Sequence, residues 1–121
     1  MFMHMNGTVK GQQKISATEG GLRGRLFTSE LFGYSVTSLG DINGDGTTDV
    51  GTGATYDDAG SPVGAFWVVL LRPDGTVRSN RKITNSLNGF TGPLGSRSFF
   101  GIAAAFLGQN STRGTVSVAV G

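Results

Sequence analysis

Residues 41–54 read Asp-Ile-Asn-Gly-Asp-Gly-Thr-Thr-Asp-Val-Gly-Thr-Gly-Ala, an acidic loop that leads directly into a strand-like run. The first nine residues place side-chain oxygens at positions one, three, five and nine, with a glycine at position six. A hard divalent cation such as Ca²⁺ prefers six to eight oxygen ligands at about 2.3–2.6 Å. The spacing therefore predicts a Ca²⁺ loop. Its expected ligands are Asp41, Asn43, Asp45 and Asp49 through their side chains, and Thr47 through its carbonyl.

The loop begins like an EF-hand loop but does not end like one. An EF-hand needs a bidentate Glu at position twelve, where this chain has Thr52. Residues 47–54 are β-branched and glycine-rich, which favours a strand over a helix. The pattern thus predicts a cation loop between two strands. The alternative is a plain hairpin turn, since Asn43-Gly44 and Asp45-Gly46 are both strong turn dipeptides.

The composition predicts one small all-β domain. The chain has 121 residues, of which 21 are glycine and 37% are hydrophobic, as expected for many short strands and turns. It has no apolar run long enough for a transmembrane helix, and its first residues lack the basic-then-apolar order of a secretory signal. Cysteine is absent, which excludes disulfides and thiolate chemistry.

The charge is divided between the two halves of the chain. Residues 1–58 carry a net charge of −3, from four basic and seven acidic side chains, while residues 59–121 carry +5, from six basic and one acidic. The basic side chains are spread widely, so we expect solvated surface or contact with a neighbouring subunit. No nucleic-acid partner is expected.

The sequence repeats itself with a period of 68 residues. Residues 1–53 align without a gap with residues 69–121, and 16 of the 53 pairs are identical. Such a period indicates repeated supersecondary units. The second copy has lost the acidic loop, since Gln109, Ser111, Arg113 and Ser117 stand at the four side-chain ligand positions. We therefore expect one metal site per chain.

Hydrophobic patterning predicts eight strands in a two, four, two arrangement. The complete unit spans residues 32–84, and its strands are expected at Phe32–Leu39, Thr47–Ala54, Val63–Leu71 and Thr76–Thr84. Residues 1–31 would contain the end of another unit, with strands at Met1–Met5 and Thr8–Ser16. Residues 85–121 would contain the start of a degenerate second repeat, with strands at Phe100–Phe106 and Thr115–Gly121.

These motifs together resemble a known family, the FG-GAP repeat of integrin alpha-subunit propellers and many bacterial surface proteins. The resemblance rests on residues 32–33, 39–50, 53–55, 64–71, 74–77 and 82–84. It implies a β-propeller with four antiparallel strands per blade and Ca²⁺ in an inter-strand loop, held by Asp41, Asn43, Asp45, Asp49 and the Thr47 carbonyl. It also implies an extracellular or cell-surface location. Thr55 departs from the family, which often has proline there.

Two blades' worth of strands cannot close a propeller, which needs roughly four to eight blades. The half units at the two ends are complementary, so we expect a homo-oligomer in the form of a head-to-tail ring. Three chains would give six blades and four would give eight, and three are favoured. The alternatives are a fragment of a longer propeller, or a compact sandwich in which residues 1–16 fold back on residues 100–121.

A packed interior between the blades is expected from the large apolar side chains. Trp67 is interpreted as a core side chain, whereas Tyr34 and Tyr56 fit either core packing or a ligand-binding surface. The expected core comprises Phe2, Leu26, Phe32, Val36, Leu39, Val50, Phe66, Val68, Leu70, Ile83, Phe90, Leu94, Phe100, Ile102, Phe106, Leu107 and Val118.

No catalytic motif is recognisable. The only histidine, His4, lacks a motif partner, and there is no Gly-x-Ser-x-Gly sequence or phosphate-binding loop. The primary expectation is a non-enzymatic, calcium-binding propeller module for assembly and for protein or ligand binding. The alternatives are glycan recognition through the loop at 56–62, and a hydrolase or lyase with its site in the central channel of the ring.

Overall fold

The computed structural model describes residues 1–27, 29–56 and 63–121, and this part of the chain is all-β. Every pairing between its strands is antiparallel. The described residues form no helix, and therefore none that could cross a membrane. The strands are β1 (Phe2–Met3), β2 (Val9–Gly11), β3 (Phe32–Gly40), β4 (Asp49–Ala54), β5 (Ala65–Leu71), β6 (Val77–Ile83), β7 (Ala104–Asn110) and β8 (Thr115–Val120).

The strands form three separate sheets in sequence order. A four-stranded central sheet has the order β3-β4-β5-β6, and it is flanked by an N-terminal hairpin, β1-β2, and a C-terminal hairpin, β7-β8. The predicted division into two, four and two strands is confirmed, and the central strands lie within two residues of their expected limits. The outer strands differ more, because β2 ends at Gly11 and β7 begins only at Ala104.

The main core lies on one face of the central sheet. Trp67 and Val69 of β5 and Val77 of β6 are buried there together with Leu22 from the segment after the N-terminal hairpin. The Phe32 ring meets Trp67 edge-on, with ring centroids 5.9 Å apart. The N-H of Val77 donates to the carbonyl of Gly20 at 2.7 Å, which fastens this segment to the sheet. The interpretation of Trp67 as core packing is therefore confirmed.

The opposite face of the central sheet faces the C-terminal hairpin across an apolar groove. Phe66 and Val68 line the groove from β5, and Val116 and Val118 line it from β8. Its volume is about 390 Å³. The segment before β7 approaches the central sheet closely at Gly53, where an added Cβ atom would overlap the carbonyl oxygen of Gly101.

The internal repeat is visible in the hydrogen bonds of two turns 68 residues apart. In the turn 72–76, the N-H of the first residue donates to the carbonyl of the last at 2.8 Å, and its partner turn 4–8 does the same at 2.8 Å. The hydroxyl of the closing threonine donates to Asp74 in the first turn and to Asn6 in the second, at 2.7 Å in both. The N-terminal hairpin is therefore built like the hairpin β5-β6.

Part of the expected core is wrong as a description of this chain. Leu39 and Phe66 are buried, but the side chains of Phe2, Val36, Ile102, Phe106 and Leu107 are exposed. Residues 1–10, which include β1, are all exposed, and the side chains of the C-terminal hairpin that line the groove are Val116, Val118 and Val120 of β8. Alternating apolar residues therefore leave one set of side chains in solvent.

Candidate metal centre

The acidic loop connects β3, which ends at Gly40, to β4, which begins at Asp49. Two glycines give it its shape, since Gly44 has φ +77° and Gly46 has φ +83°, values that other residues adopt only with strain. Four of the five expected ligand residues, 41, 43, 45 and 47, therefore lie in one connection between neighbouring strands, and the fifth, Asp49, is the first residue of β4.

The carboxylate of Asp41 lies at the centre of the turn. Its Oδ1 accepts hydrogen bonds from the N-H groups of Gly44 at 2.7 Å and Asp45 at 3.0 Å. Its Oδ2 accepts from the N-H of Gly46 at 2.7 Å. Because three successive N-H groups point at one side chain, the backbone is wrapped around Asp41, as Asx turns allow.

Asn43 and Asp45 continue the same pattern along the loop. The Oδ1 of Asn43 accepts from the N-H of Asp45 at 2.9 Å, and the Oδ1 of Asp45 accepts from the N-H of Thr47 at 3.0 Å. The Oδ2 of Asp45 forms an ion pair with Arg78 of β6 at 2.8 Å.

The pKa of Asp45 is lowered below its ordinary value. Partial burial acts to raise it, but the N-H of Thr47 and the Arg78 guanidinium stabilise the carboxylate and outweigh that effect. Asp45 is therefore ionised at neutral pH and available to a cation.

Asp49 ties the end of the loop to the central sheet. Its side chain is buried, and its Oδ2 accepts from the N-H of Ile42 at 3.1 Å while its Oδ1 accepts from the N-H of Leu71 at 2.9 Å. The same carboxylate thus joins the start of the loop, β4 and the end of β5. A buried carboxylate needs such partners, because an unpaired charge in the interior is costly.

The donor chemistry of the loop fits a hard cation, because every candidate ligand atom is an oxygen. In the described part of the chain, however, no three His, Cys, Asp or Glu side chains are gathered as a metal-binding group. Asp41, Asp45 and Asp49 instead each accept hydrogen bonds from the backbone N-H groups of different residues. Carboxylate oxygens have further lone pairs, so these bonds are compatible with coordination. The Ca²⁺ ligands remain a prediction.

The corresponding connection in the second repeat is much shorter. β7 continues to Asn110 and β8 begins at Thr115, so only four residues separate them. The N-H of Arg113 donates to the Asn110 side chain at 3.0 Å, which closes the turn without any carboxylate. A cationic side chain stands where the first repeat has Asp45.

Two ion pairs of the central sheet were missed by the sequence analysis. One is Asp45 with Arg78, described above; the other joins Glu30 to Lys82 at 2.7 Å, with the Glu30 side chain almost wholly buried. Glu30 also accepts from the N-H of Phe27 at 2.8 Å, and Lys82 lies 5.3 Å from the centre of the Trp67 ring. These partners lie 33 and 52 residues apart, so no local spacing indicates them.

The loop considered for glycan recognition lies largely outside the described residues, which include Tyr56 but not 57–62. A pocket of about 300 Å³ is lined by Tyr56 together with Leu31, Tyr34, Thr55, Phe99 and Ile102. The rings of Tyr56 and Phe99 meet edge-on with centroids 5.5 Å apart, and Tyr34 and Tyr56 are exposed.

A comparison of the sequence with models of known protein families, and with curated proteins, finds no match.

Proposed function

We propose that this chain is a non-enzymatic Ca²⁺-binding module with FG-GAP-like, propeller-type architecture, which assembles and binds protein or other ligands. The observation that carries the proposal is the Asp41–Asp49 connection. This nine-residue stretch carries three carboxylates, an amide oxygen and the Thr47 carbonyl, with Asp41 at the centre of the glycine-shaped turn and Asp49 buried at the start of β4. A plain turn does not require this set, as the four-residue turn of the second repeat demonstrates.

The proposed role of Ca²⁺ is structural. Three carboxylates in nine residues repel one another, and a bound cation removes that repulsion. A ligand that binds only the folded state stabilises it by RT ln(1 + [L]/Kd), about 2.7 kcal/mol at one hundred times Kd. For a domain of this size the melting temperature should rise by on the order of 10 °C.

The experiment is thermal unfolding in millimolar Ca²⁺ and in chelator. The parent chain should melt at higher temperature with Ca²⁺, and Asp45→Ala should abolish the difference. The matched control is Arg113→Ala at the repeat-equivalent position, which should leave the Ca²⁺ response unchanged. An equal melting temperature with and without Ca²⁺ in the parent chain would refute the metal proposal.

The propeller part of the proposal is supported by three features. The central sheet has four antiparallel strands in sequence order. The segment after the N-terminal hairpin packs on one face of this sheet and the C-terminal hairpin faces the other across the apolar groove, and the turns 4–8 and 72–76 share their hydrogen bonds. Three copies arranged head to tail would give a six-bladed ring.

The mass of the native particle tests the ring. A trimer is the expected result, and a tetramer would give an eight-bladed ring instead. A well-behaved monomer at micromolar concentration would overturn the assembly proposal while leaving the metal proposal to be decided by the melting experiment.

Glycan binding is a second candidate function because of the pocket beside Tyr56. Exposed Tyr34 and Tyr56 offer flat apolar rings with hydroxyl groups at their tips, the combination that sugar rings and their hydroxyls match. A glycan array tests it, with Tyr34→Ala as the variant expected to lose any signal. No binding by the parent chain to any glycan would remove this candidate.

A further inference from the structure

The repeat makes it possible to compare each residue with its counterpart 68 positions away, and some counterparts differ sharply in burial. Val9 of the N-terminal hairpin is 55% exposed, whereas its counterpart Val77 is 3% exposed. Met1 and Met3 are also exposed, at 74% and 54%, whereas the counterpart of Met1, Val69, is 1% exposed. One face of the N-terminal hairpin thus presents apolar side chains at positions that are core positions in the central sheet.

A complementary surface lies at the other end of the molecule. The apolar groove between the central sheet and the C-terminal hairpin is open, and its lining includes Val116, Val118, Ile83 and Phe90. The edge of β8 that faces away from β7 has no partner strand among the described residues. Exposed strand edges are ready to pair with another chain.

The chain already contains one filled example of this interface. In the main core, Val69 and Val77 pack with Leu22, and Ile15 and Val50 pack against the same cluster. A shift of 68 converts Leu22, Ile15 and Val50 into Phe90, Ile83 and Val118, which line the open groove. The same shift, applied backwards, converts Val69, Leu71 and Val77 into Met1, Met3 and Val9.

The strand register can be carried over in the same way. β4 pairs with β5 so that Val50 lies opposite Val69. The shifted pair is Val118 opposite Met1, and continuing antiparallel gives Val116 opposite Met3. Val116 and Val118 are the half-buried side chains of β8 that face the groove.

We propose that the groove and the free edge of β8 bind the N-terminal hairpin of a second copy of this chain, with Val116 opposite Met3 of that copy. This proposal rests on the proposed assembly and specifies its surface. The four-stranded order β7-β8-β1-β2 then repeats the central sheet, with the first two strands from one copy and the last two from the next. Met1, Met3 and Val9 of the second copy fill the groove against Ile83 and Phe90.

One further exposed side chain fits the same arrangement. Leu107 is 67% exposed, whereas its counterpart Leu39 is 1% exposed and faces the C-terminal hairpin. In the proposed contact, Leu107 faces the central sheet of the second copy as Leu39 faces β8. The contact is heterologous, since each copy offers its groove to one neighbour and its hairpin to the other.

Two lysine variants test the contact by native mass. Val118→Lys removes the groove and leaves the hairpin, whereas Met3→Lys removes the hairpin surface and leaves the groove. Each variant alone should fail to form the parent's ring, and an equimolar mixture should form a one-to-one pair through the two intact surfaces. The variant that carries both lysine substitutions has neither surface intact and should stay monomeric. Thr112→Lys, in the exposed turn before β8, is the matched control and should assemble like the parent.

Disulfide trapping tests the register in this cysteine-free chain. Val116→Cys with Met3→Cys should give covalent oligomers under oxidation, while Val116→Cys with Phe2→Cys, on opposite faces, should give none. Parent-like assembly by Met3→Lys or Val118→Lys, a mixture that stays monomeric, or equal trapping by both cysteine pairs would overturn the proposal. If the parent chain forms a ring but the variants behave in one of these ways, the proposed contact surface is wrong and the assembly proposal is retained. The Ca²⁺ melting response of each variant tests the metal proposal separately.

Discussion

The hairpins β3-β4 and β7-β8 are related by the 68-residue repeat, but their two strands are connected in different ways. In the first, β3 and β4 are joined by an eight-residue connection wrapped around the Asp41 carboxylate and anchored by buried Asp49. In the second, a four-residue turn closes through Asn110, and Ser117 replaces the buried acid. The longer connection is held by acidic side chains, and this places the negative charge that a cation would neutralise.

The comparison shows that the acids are not needed for a hairpin at this place in the repeat. They add a specific set of hydrogen bonds, a local charge problem and an ion pair to Arg78. Matched substitutions in the two hairpins distinguish the features on which the stability of the first hairpin depends and that of the second does not.

The largest effect is expected from Asp49→Ala, measured in chelator so that no metal contributes. Removing this carboxylate leaves the partly buried N-H groups of Ile42 and Leu71 without their acceptor. An unsatisfied buried donor costs about 1–3 kcal/mol, so the free energy of unfolding should fall by about 2–4 kcal/mol. Urea unfolding measures it.

Ser117→Ala is the matched substitution in the second hairpin. Ser117 is exposed, so the change should stay within about 0.5 kcal/mol of the parent. Equal losses from the two variants would show that Asp49 does not anchor the first connection.

Gly53→Ala is expected to have the next largest effect. The added methyl group would overlap the backbone carbonyl of Gly101, which cannot move aside as a flexible side chain can. Overpacking of this kind costs about 1–3 kcal/mol. At the repeat-equivalent position after β8, Gly121→Ala meets only the Ala103 methyl group, at 3.8 Å, within one chain, so it should be near neutral for the unassembled chain. A neutral Gly53→Ala would mean that the Gly101 carbonyl does not lie as close to Gly53 as described.

The smallest effect is a pH dependence carried by Asp45. Its pKa is lowered in the folded state, because the Thr47 N-H and Arg78 together outweigh the opposing effect of burial. Its contribution to stability is therefore present above the ordinary Asp pKa of about 3.9 and is lost as the pH falls through the lower folded value. The second hairpin has Arg113 at this position and therefore makes no such pH-dependent contribution to stability.

The free energy of unfolding of Arg78→Ala, measured in chelator at several pH values, tests this contribution of Asp45. The parent should be more stable than the variant at about pH 6, and the difference should shrink toward about pH 2 as Asp45 becomes protonated. A difference that is the same at both pH values would contradict the role of the Asp45–Arg78 ion pair.

Much of the fold follows from local patterns in the sequence. The run at 32–39 alternates between apolar and small or polar residues, the run at 63–71 is nearly continuously apolar, and the structure has strands at both. The acidic loop could be recognised because its oxygens and glycines are spaced within nine residues, and the structure shows them organised in a single turn.

What could not be predicted depends on contacts between distant residues. Arg78 is 33 residues from Asp45, and Lys82 is 52 residues from Glu30, so neither ion pair leaves a local signal. Leu107 and Phe106 were predicted to be buried but are exposed, for a related reason. Alternating apolar residues indicate a face that can be buried, but they do not indicate what covers it.

Calcium titration by calorimetry tests the central claim most directly, with the metal-free parent chain and Asp45→Ala measured side by side. The account predicts saturable binding of one Ca²⁺ per chain by the parent, no binding by Asp45→Ala, and unchanged binding by the Arg113→Ala control. A parent chain that takes up no Ca²⁺ at millimolar concentration, or an Asp45→Ala chain that binds like the parent, would contradict it.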